Sequence, residues 1–184
     1  MGKKLSEMTL EELWQLFPIF LTDRNPAWKD WYQEEAQFLQ ELLPQAERIS
    51  HIGSTAIYGI RAKPIIDILL EVPAREHFSV MKDRLTSNGY ICMHQDSRGL
   101  SLNKGYTENG FAEKVFHLHV RFSGDHDELY FRDYLNAHPD IAQKYEQLKL
   151  ALWKEYEHDR DGYTAAKTEF VKQYTAEAKR AFSK

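Results

Sequence analysis

Apolar residues recur along this 184-residue chain with helical spacing, then with strand-like alternation, then with helical spacing again. In "TLEELWQLF" (residues 9–17), Leu10, Leu13 and Leu16 share one helical face, and Thr9 and Glu12 stand at capping-box separation. "NPAWKDWYQEEAQFLQELL" (25–43) predicts a longer helix with Asn25 as N-cap and Pro26 at its first position. Its wide apolar stripe runs through Trp28, Trp31, Ala36, Phe38, Leu39, Leu42 and Leu43, and Pro44 closes it. Strands are then predicted at "RISHI", "PIIDILLEV", "YICMHQ", "RGLSLNK" and "EKVFHLHVRF", with "GYTENG" as a hairpin tip or loop. A helix over "AREHFSVMKDRLTSNG" (74–89), ended by Gly89, interrupts them. From Asp125 the pattern is helical, broken at Pro139 and restarted in "PDIAQKYEQLKLALWKEYE" and "DGYTAAKTEFVKQYTAEAKRAF". No repeat, low-complexity tract or long linker divides the chain. The expectation is one α+β domain, a small mixed sheet flanked by helices: N-terminal helices over 1–45, a sheet core over 46–122 and C-terminal helices over 125–184.

Composition narrows the classes of function. Hydrophobic residues at 42% and charged residues at 28% are ordinary for a globular domain. A net charge of −4 argues against an electrostatic grip on extended DNA or RNA, while leaving room for one local basic pocket. A single cysteine, Cys92, excludes an intrachain disulfide framework and a multi-cysteine zinc site. No apolar run reaches the roughly 18–20 residues of a membrane span, so no membrane partner is expected. The start, "MGKKLSEMTLEELWQLF", lacks the apolar core of a signal peptide. Gly2 and Ser6 open a helix-like segment and read poorly as a myristoylation signal, which makes the cytoplasm the expected location.

The chemistry gathers in "HIGSTAIYGIRAKPIIDILLEV", residues 51–72. Gly53 lets backbone approach a ligand closely, and Ser54 can offer a hydroxyl and an N–H to a phosphate oxygen, with Thr55 beside it. Asp67 interrupts a run of Ile and Leu, where an unpaired carboxylate is costly to bury. It therefore holds a metal or pairs with a nearby Arg or Lys, and the residues alone leave both readings open.

Taken with "FHLHVR", "FRDYLNAHPDIAQKYEQLK" and "YTAAKTEF", this stretch resembles the GrpB family, also called UPF0157, a branch of the nucleotidyltransferase superfamily. The resemblance covers nearly the whole chain. It implies a nucleotidyltransferase-like fold in which the Gly-Ser turn holds nucleotide phosphates and Asp67 is the catalytic, metal-binding carboxylate of the next strand. The superfamily pattern places a second acidic ligand two residues on, and this chain has Leu69 there. Glu71 shares the face of Asp67 but stands about 13 Å away along an extended strand, too far to share one ion.

His117 and His119, two apart on one strand face, are candidates to complete the site with Asp67 around a divalent metal. Imidazole suits zinc or manganese better than magnesium, the superfamily's usual ion. Solvated histidines on a polar sheet face are the plainer alternative. Lys63, Arg121, Tyr163 and Lys167 are candidates for contact with a nucleotide, and Arg61, Arg132, Lys149 and Arg160 are further sources of positive charge. Tyr163 and Lys167, four apart on a helix, pair a ring for base stacking with a cation for phosphate; Tyr145 and Lys149 repeat the spacing. His51, just before the turn, is placed to orient it. The expected partner is thus a nucleotide or other phosphorylated small molecule. Two functions fit: metal-assisted transfer of a nucleotidyl group to a small acceptor, or a non-catalytic binding module. A Ser54–His119–Asp67 hydrolase is weaker, because the Gly-x-Ser-x-Gly elbow is missing.

Overall fold

A computed structural model describes residues 3–74 and 76–182. Gly2, position 75 of the predicted 74–89 helix and the last two residues of the C-terminal segment lie outside the described residues. Five strands form one mixed sheet in the order β1-β2-β5-β4-β3: β1 (Arg48–Ile52), β2 (Ile66–Val72), β3 (Ile91–Gln95), β4 (Gly99–Thr107) and β5 (Gly110–Phe122). Only β2 and β5 run parallel; the other pairs are antiparallel. The helices are α1 (Leu10–Leu16), α2 (Trp28–Leu42), α3 (Phe78–Thr86), α4 (Asp127–Ala137), α5 (Pro139–Tyr156) and α6 (Arg160–Phe182). This is the α+β arrangement that the hydrophobic pattern predicts.

Local chemistry sets the element ends. Thr9 and Glu12 form the expected capping box on α1. Asn25 does not cap α2. Its side chain accepts from the Ala27 N–H (2.9 Å) and its carbonyl from the Trp28 N–H (3.1 Å), so a turn precedes the helix and Ala27 is the N-cap. Gly89, at φ +90°, lets the chain reverse after α3. The segment "GYTENG", predicted as a hairpin tip or loop, is the tip of the β4–β5 hairpin: the strands stay paired out to Thr107 and Gly110, leaving only residues 108 and 109 as the turn.

Strand alternation gives the sheet two different faces. Ile66, Ile68, Leu70, Leu100, Leu102, Phe116, Leu118 and Val120 pack beneath α2 and α3 in the main core with Trp28, Leu39, Leu43, Met81 and Leu85. On the opposite face lie Asp67, Leu69, Glu71, His117 and His119, beneath the C-terminal helices. There Leu69 packs with Ile52 and with Leu129 of α4. Phe131, Leu135, Ala142 and Tyr145 bind α4 and α5 to Ile57 and Ile60 of the segment before β2. Among the described residues no helix is long and apolar enough to cross a membrane.

Candidate functional site

β1 ends at Ile52, and the chain turns through Gly53 into a single 3-10 turn, Ser54–Ala56. Gly53 has φ +70°, a conformation L side chains rarely adopt, and a Cβ there would lie 2.4 Å from Oδ2 of Asp67. The turn's backbone is therefore pressed against the carboxylate of the neighbouring strand. His51 braces the turn from behind the sheet. Its ring stacks on Tyr32 (4.8 Å, 13°), and its Nε2 is 2.8 Å from Oγ1 of Thr55. The Thr55 hydroxyl donates to the Ile65 carbonyl (3.3 Å), so it accepts from His51, whose proton sits on Nε2. Burial lowers the His51 pKa to about 4, which keeps the ring neutral for this bond.

Parallel pairing of β2 with β5 places Asp67 opposite His117 and Leu69 opposite His119. Oδ1 of Asp67 is 3.3 Å from Nδ1 of His117 and 3.9 Å from Nε2 of His119. The other ring nitrogen of His117 is also engaged: its Nε2 is 2.8 Å from the Tyr106 hydroxyl and 3.0 Å from a guanidinium nitrogen of Arg160. Guanidinium offers only donors, so Nε2 of His117 is the acceptor and the ring proton resides on Nδ1, facing Asp67. Burial, only partly opposed by Asp67, lowers the His117 pKa to about 4. For Asp67, burial opposes ionisation, but the imidazoles of His117 and His119 beside it outweigh this and hold the carboxyl far below its usual range.

Above Asp67 opens a cavity of about 650 Å³ between the sheet face and the C-terminal helices, lined also by Gly53, Ser54 and Ile65. Among the described residues six cations line it, four of them toward Asp67: Lys63 from the segment entering β2, Lys149 from α5, and Arg160 and Lys167 from α6. Lys149 is 1% exposed and donates to the Arg61 carbonyl (2.5 Å). Burial and the neighbouring cations lower Lys63 and Lys149 to about 7, and burial lowers Lys167 to about 8. Two of these amines lie over the ring of Tyr163, with Lys63 Nζ 5.2 Å and Lys167 Nζ 4.3 Å from its centre. Tyr145 faces Ser54 through its hydroxyl, and burial raises its pKa to about 12. At the far end of the cavity, Asp127 of α4 pairs with Lys179 of α6 (2.6 Å), and Glu128 and Lys172 also line the wall.

Gly53, Ser54, Lys63, Asp67, His117, His119, Tyr163 and Lys167 are thus brought to one cavity, and Lys149 and Arg160 join them. Thr55 and Arg121 are not. Thr55 is buried beneath the turn with its hydroxyl committed to Ile65 and His51. Arg121, at the end of β5, folds its guanidinium back onto the carbonyls of Leu100 (2.9 Å) and Val120 (3.0 Å). Arg61 pairs with Asp23, and Arg132 pairs with Asp133 while donating to the His51 carbonyl. Glu71 serves the fold: it binds Arg48, the Gly124 N–H (3.0 Å) and His126 (2.8 Å). Tyr106 is the site residue that the sequence reading missed; alternation along β4 alone does not show that its hydroxyl reaches His117.

Comparison with known proteins agrees with this architecture. The model of the GrpB protein family matches residues 18–177. The chain is 35% identical over 159 residues to the glutamate-rich protein GrpB of Alkalihalophilus pseudofirmus, covering 83% of this chain and 91% of that one. It is 34% identical over 160 residues to the UPF0157 protein YqkA of Bacillus subtilis, covering 85% of this chain but only 46% of that protein. The chain therefore spans about half the length of the Bacillus relative. The crystal structure of the conserved protein GrpB from Enterococcus faecalis superposes with a TM-score of 0.78 at 30% identity, over 90% of this chain and 100% of that one. With most of its length matched by the family's model and its fold shared with a solved member, the chain belongs to the GrpB family.

Proposed function

We propose that this protein binds a nucleotide or another phosphorylated small molecule in the cavity above Asp67, as a binding module. The observation that carries the reading is the convergence of Lys63, Lys149, Arg160 and Lys167 with Asp67 on one cavity, whose other carboxylates, Asp127 and Glu128, lie at the far end with Lys172 and Lys179. Cations gathered in a concave, partly apolar cavity attract an anion of matching charge. The Ser54 hydroxyl and the turn's backbone lie against the same space and suit phosphate oxygens.

Nucleotidyl transfer, the activity that the resemblance implies, calls for a divalent ion held by two or three protein ligands. The residues present do not fit that ion. Position 69 is a leucine with no exposure, His117 has a proton on one nitrogen and donors on the other, and Asp67 is left with His119 alone. Among the described residues no group of three His, Cys, Asp or Glu side chains is arranged to hold a metal. Binding without nucleotidyl transfer is the function that this geometry favours.

The test is calorimetry and thermal melting of the purified chain against nucleoside mono-, di- and triphosphates and CoA precursors. A true ligand at 100 times its Kd stabilises the fold by about 2.7 kcal/mol. The shift is expected to vanish in Lys63→Met and Lys167→Met. If no phosphorylated compound binds, the reading fails.

A further inference from the structure

Two features of the cavity bear on how the ligand's negative charge is balanced. The first is the charge inventory around Asp67. Lys63 comes from the β2 entrance, Lys149 from α5, and Arg160 and Lys167 from α6. Facing them are Asp67 on β2, His119 and the neutral His117 on β5, and the phenols Tyr145 and Tyr163. Glu146 of α5 also acts on Lys149, but it accepts from the Arg61 N–H (2.5 Å). Four of the six lining Lys and Arg side chains thus gather with Asp67, while Lys172 and Lys179 stand with Asp127 and Glu128 at the far end, so the lining as a whole carries more cations than carboxylates. A resident divalent cation would add to a positive surplus that is already in place, with too few ligands to offset the repulsion.

The second observation is Tyr163. It is 0% exposed, yet among the described residues its hydroxyl is the one buried side-chain polar atom with no hydrogen-bond partner. A buried unsatisfied hydroxyl costs about 1–3 kcal/mol. The side chain lines the cavity, and the amines of Lys63 and Lys167 both lie over its ring, at 5.2 and 4.3 Å from the centre. Those amines occupy the ring, so base stacking there, the role suggested by the sequence spacing, gives way to a hydroxyl that lacks an acceptor.

Resting on the binding function proposed above, we infer that the cavity takes a phosphate ester as its metal-free anion. The lysines and Arg160 supply the counter-charge, Tyr163 donates to a phosphate oxygen, and protons are taken up on binding. Proton uptake follows from the crowding of the amines. Burial and mutual repulsion leave Lys63 and Lys149 near 7 and Lys167 near 8, so part of the cluster is neutral at pH 7.5. An arriving dianion restores the missing protons.

Calorimetry with ATP and inorganic pyrophosphate at pH 7.5 tests this, in two buffers of different ionisation enthalpy, each with EDTA or with excess Mg²⁺. The expected result is binding in EDTA that is at least as tight as in Mg²⁺, with net uptake of about one proton per ligand. Tyr163→Phe removes only the hydroxyl. It is expected to weaken binding at least about tenfold without lowering the stability of the ligand-free protein. Binding that requires Mg²⁺, binding without proton uptake, or unchanged affinity in Tyr163→Phe overturns the inference and leaves the binding function standing. Failure of both probes in every buffer overturns the inference, and the binding function falls with it only if the wider panel of phosphorylated compounds also fails to bind.

Discussion

Gly53 and Leu69 show how single residues decide what this site can be. At Gly53, both the positive φ and the contact with Asp67 exclude a side chain. Gly53→Ala is expected to destabilise the fold by about 1–3 kcal/mol in urea melts and to displace the Asp67 carboxylate. Phosphate binding should fall with it; a variant that melts and binds like the parent would show that the close approach does not matter. Leu69 stands where the sequence resemblance would put a second carboxylate, and its environment explains the leucine. It is sealed with Ile52 and Leu129 beneath α4, which makes it part of the mortar between sheet and helices. Leu69→Ala is expected to cost about 2–5 kcal/mol of stability through the void it leaves, with ligand affinity unchanged at temperatures where the variant is folded. A near-neutral melt, or a specific loss of binding, would place Leu69 in the site instead.

At the scale of elements, α2 and the sheet are tied by a polar strap. Glu35, 7% exposed on the inner side of α2, accepts from the Tyr90 hydroxyl (2.7 Å) and from Lys104 of β4 (2.7 and 3.0 Å). Lys104 in turn lies over the rings of Phe38, Tyr90 and Phe116. Glu35→Ala strands the partly buried lysine and is expected to cost about 3 kcal/mol, while the cavity on the opposite face keeps its affinity. Chemical denaturation beside ligand titration checks both halves. The apolar stripe of α2 was legible in its sequence, because helical spacing reports burial directly. Glu35 was not, because a charge on the stripe's flank declares its partner only when two elements meet. The same distinction runs through the site. Alternation along β2 and β5 correctly puts Asp67, His117 and His119 on one face, and the parallel register then makes them neighbours. Alternation also puts Arg121 on that face, but it says nothing of the cavity's length, and Arg121 lies beyond its end. Lys149 and Arg160 read as two basic residues among several; their weight comes from the way α5 and α6 pack over the sheet, which no local pattern encodes.

For the molecule as a whole, these buried groups tie stability and binding to pH in opposite directions. His51 and His117 titrate near 4 in the fold against 6.5 when exposed, so below 6.5 the unfolded chain binds protons that the folded chain refuses. Their contribution is complete above pH 6.5 and is lost as pH falls toward 4, by up to about 1.4 kcal/mol per pH unit for each ring. Asp67, held below its usual range, adds to the loss at lower pH still. Lys63 and Lys149 have the same sign in a higher window. Between about 7 and 10.5 the unfolded chain is the more protonated, so the ligand-free protein gains stability as pH rises through that range. Ligand affinity should do the reverse, because each amine that loses its proton removes a counter-charge. Below about pH 6 the phosphate itself takes up a proton, so affinity should peak between 6 and 7 and decline on the alkaline side. Ligand-free melts and ATP titrations over pH 5–9 are expected to diverge above pH 7, with melting temperature rising while affinity falls. Lys63→Met, which removes one titrating amine, should flatten both curves. Parallel pH trends in stability and affinity would mean that the lysine cluster does not govern the cavity.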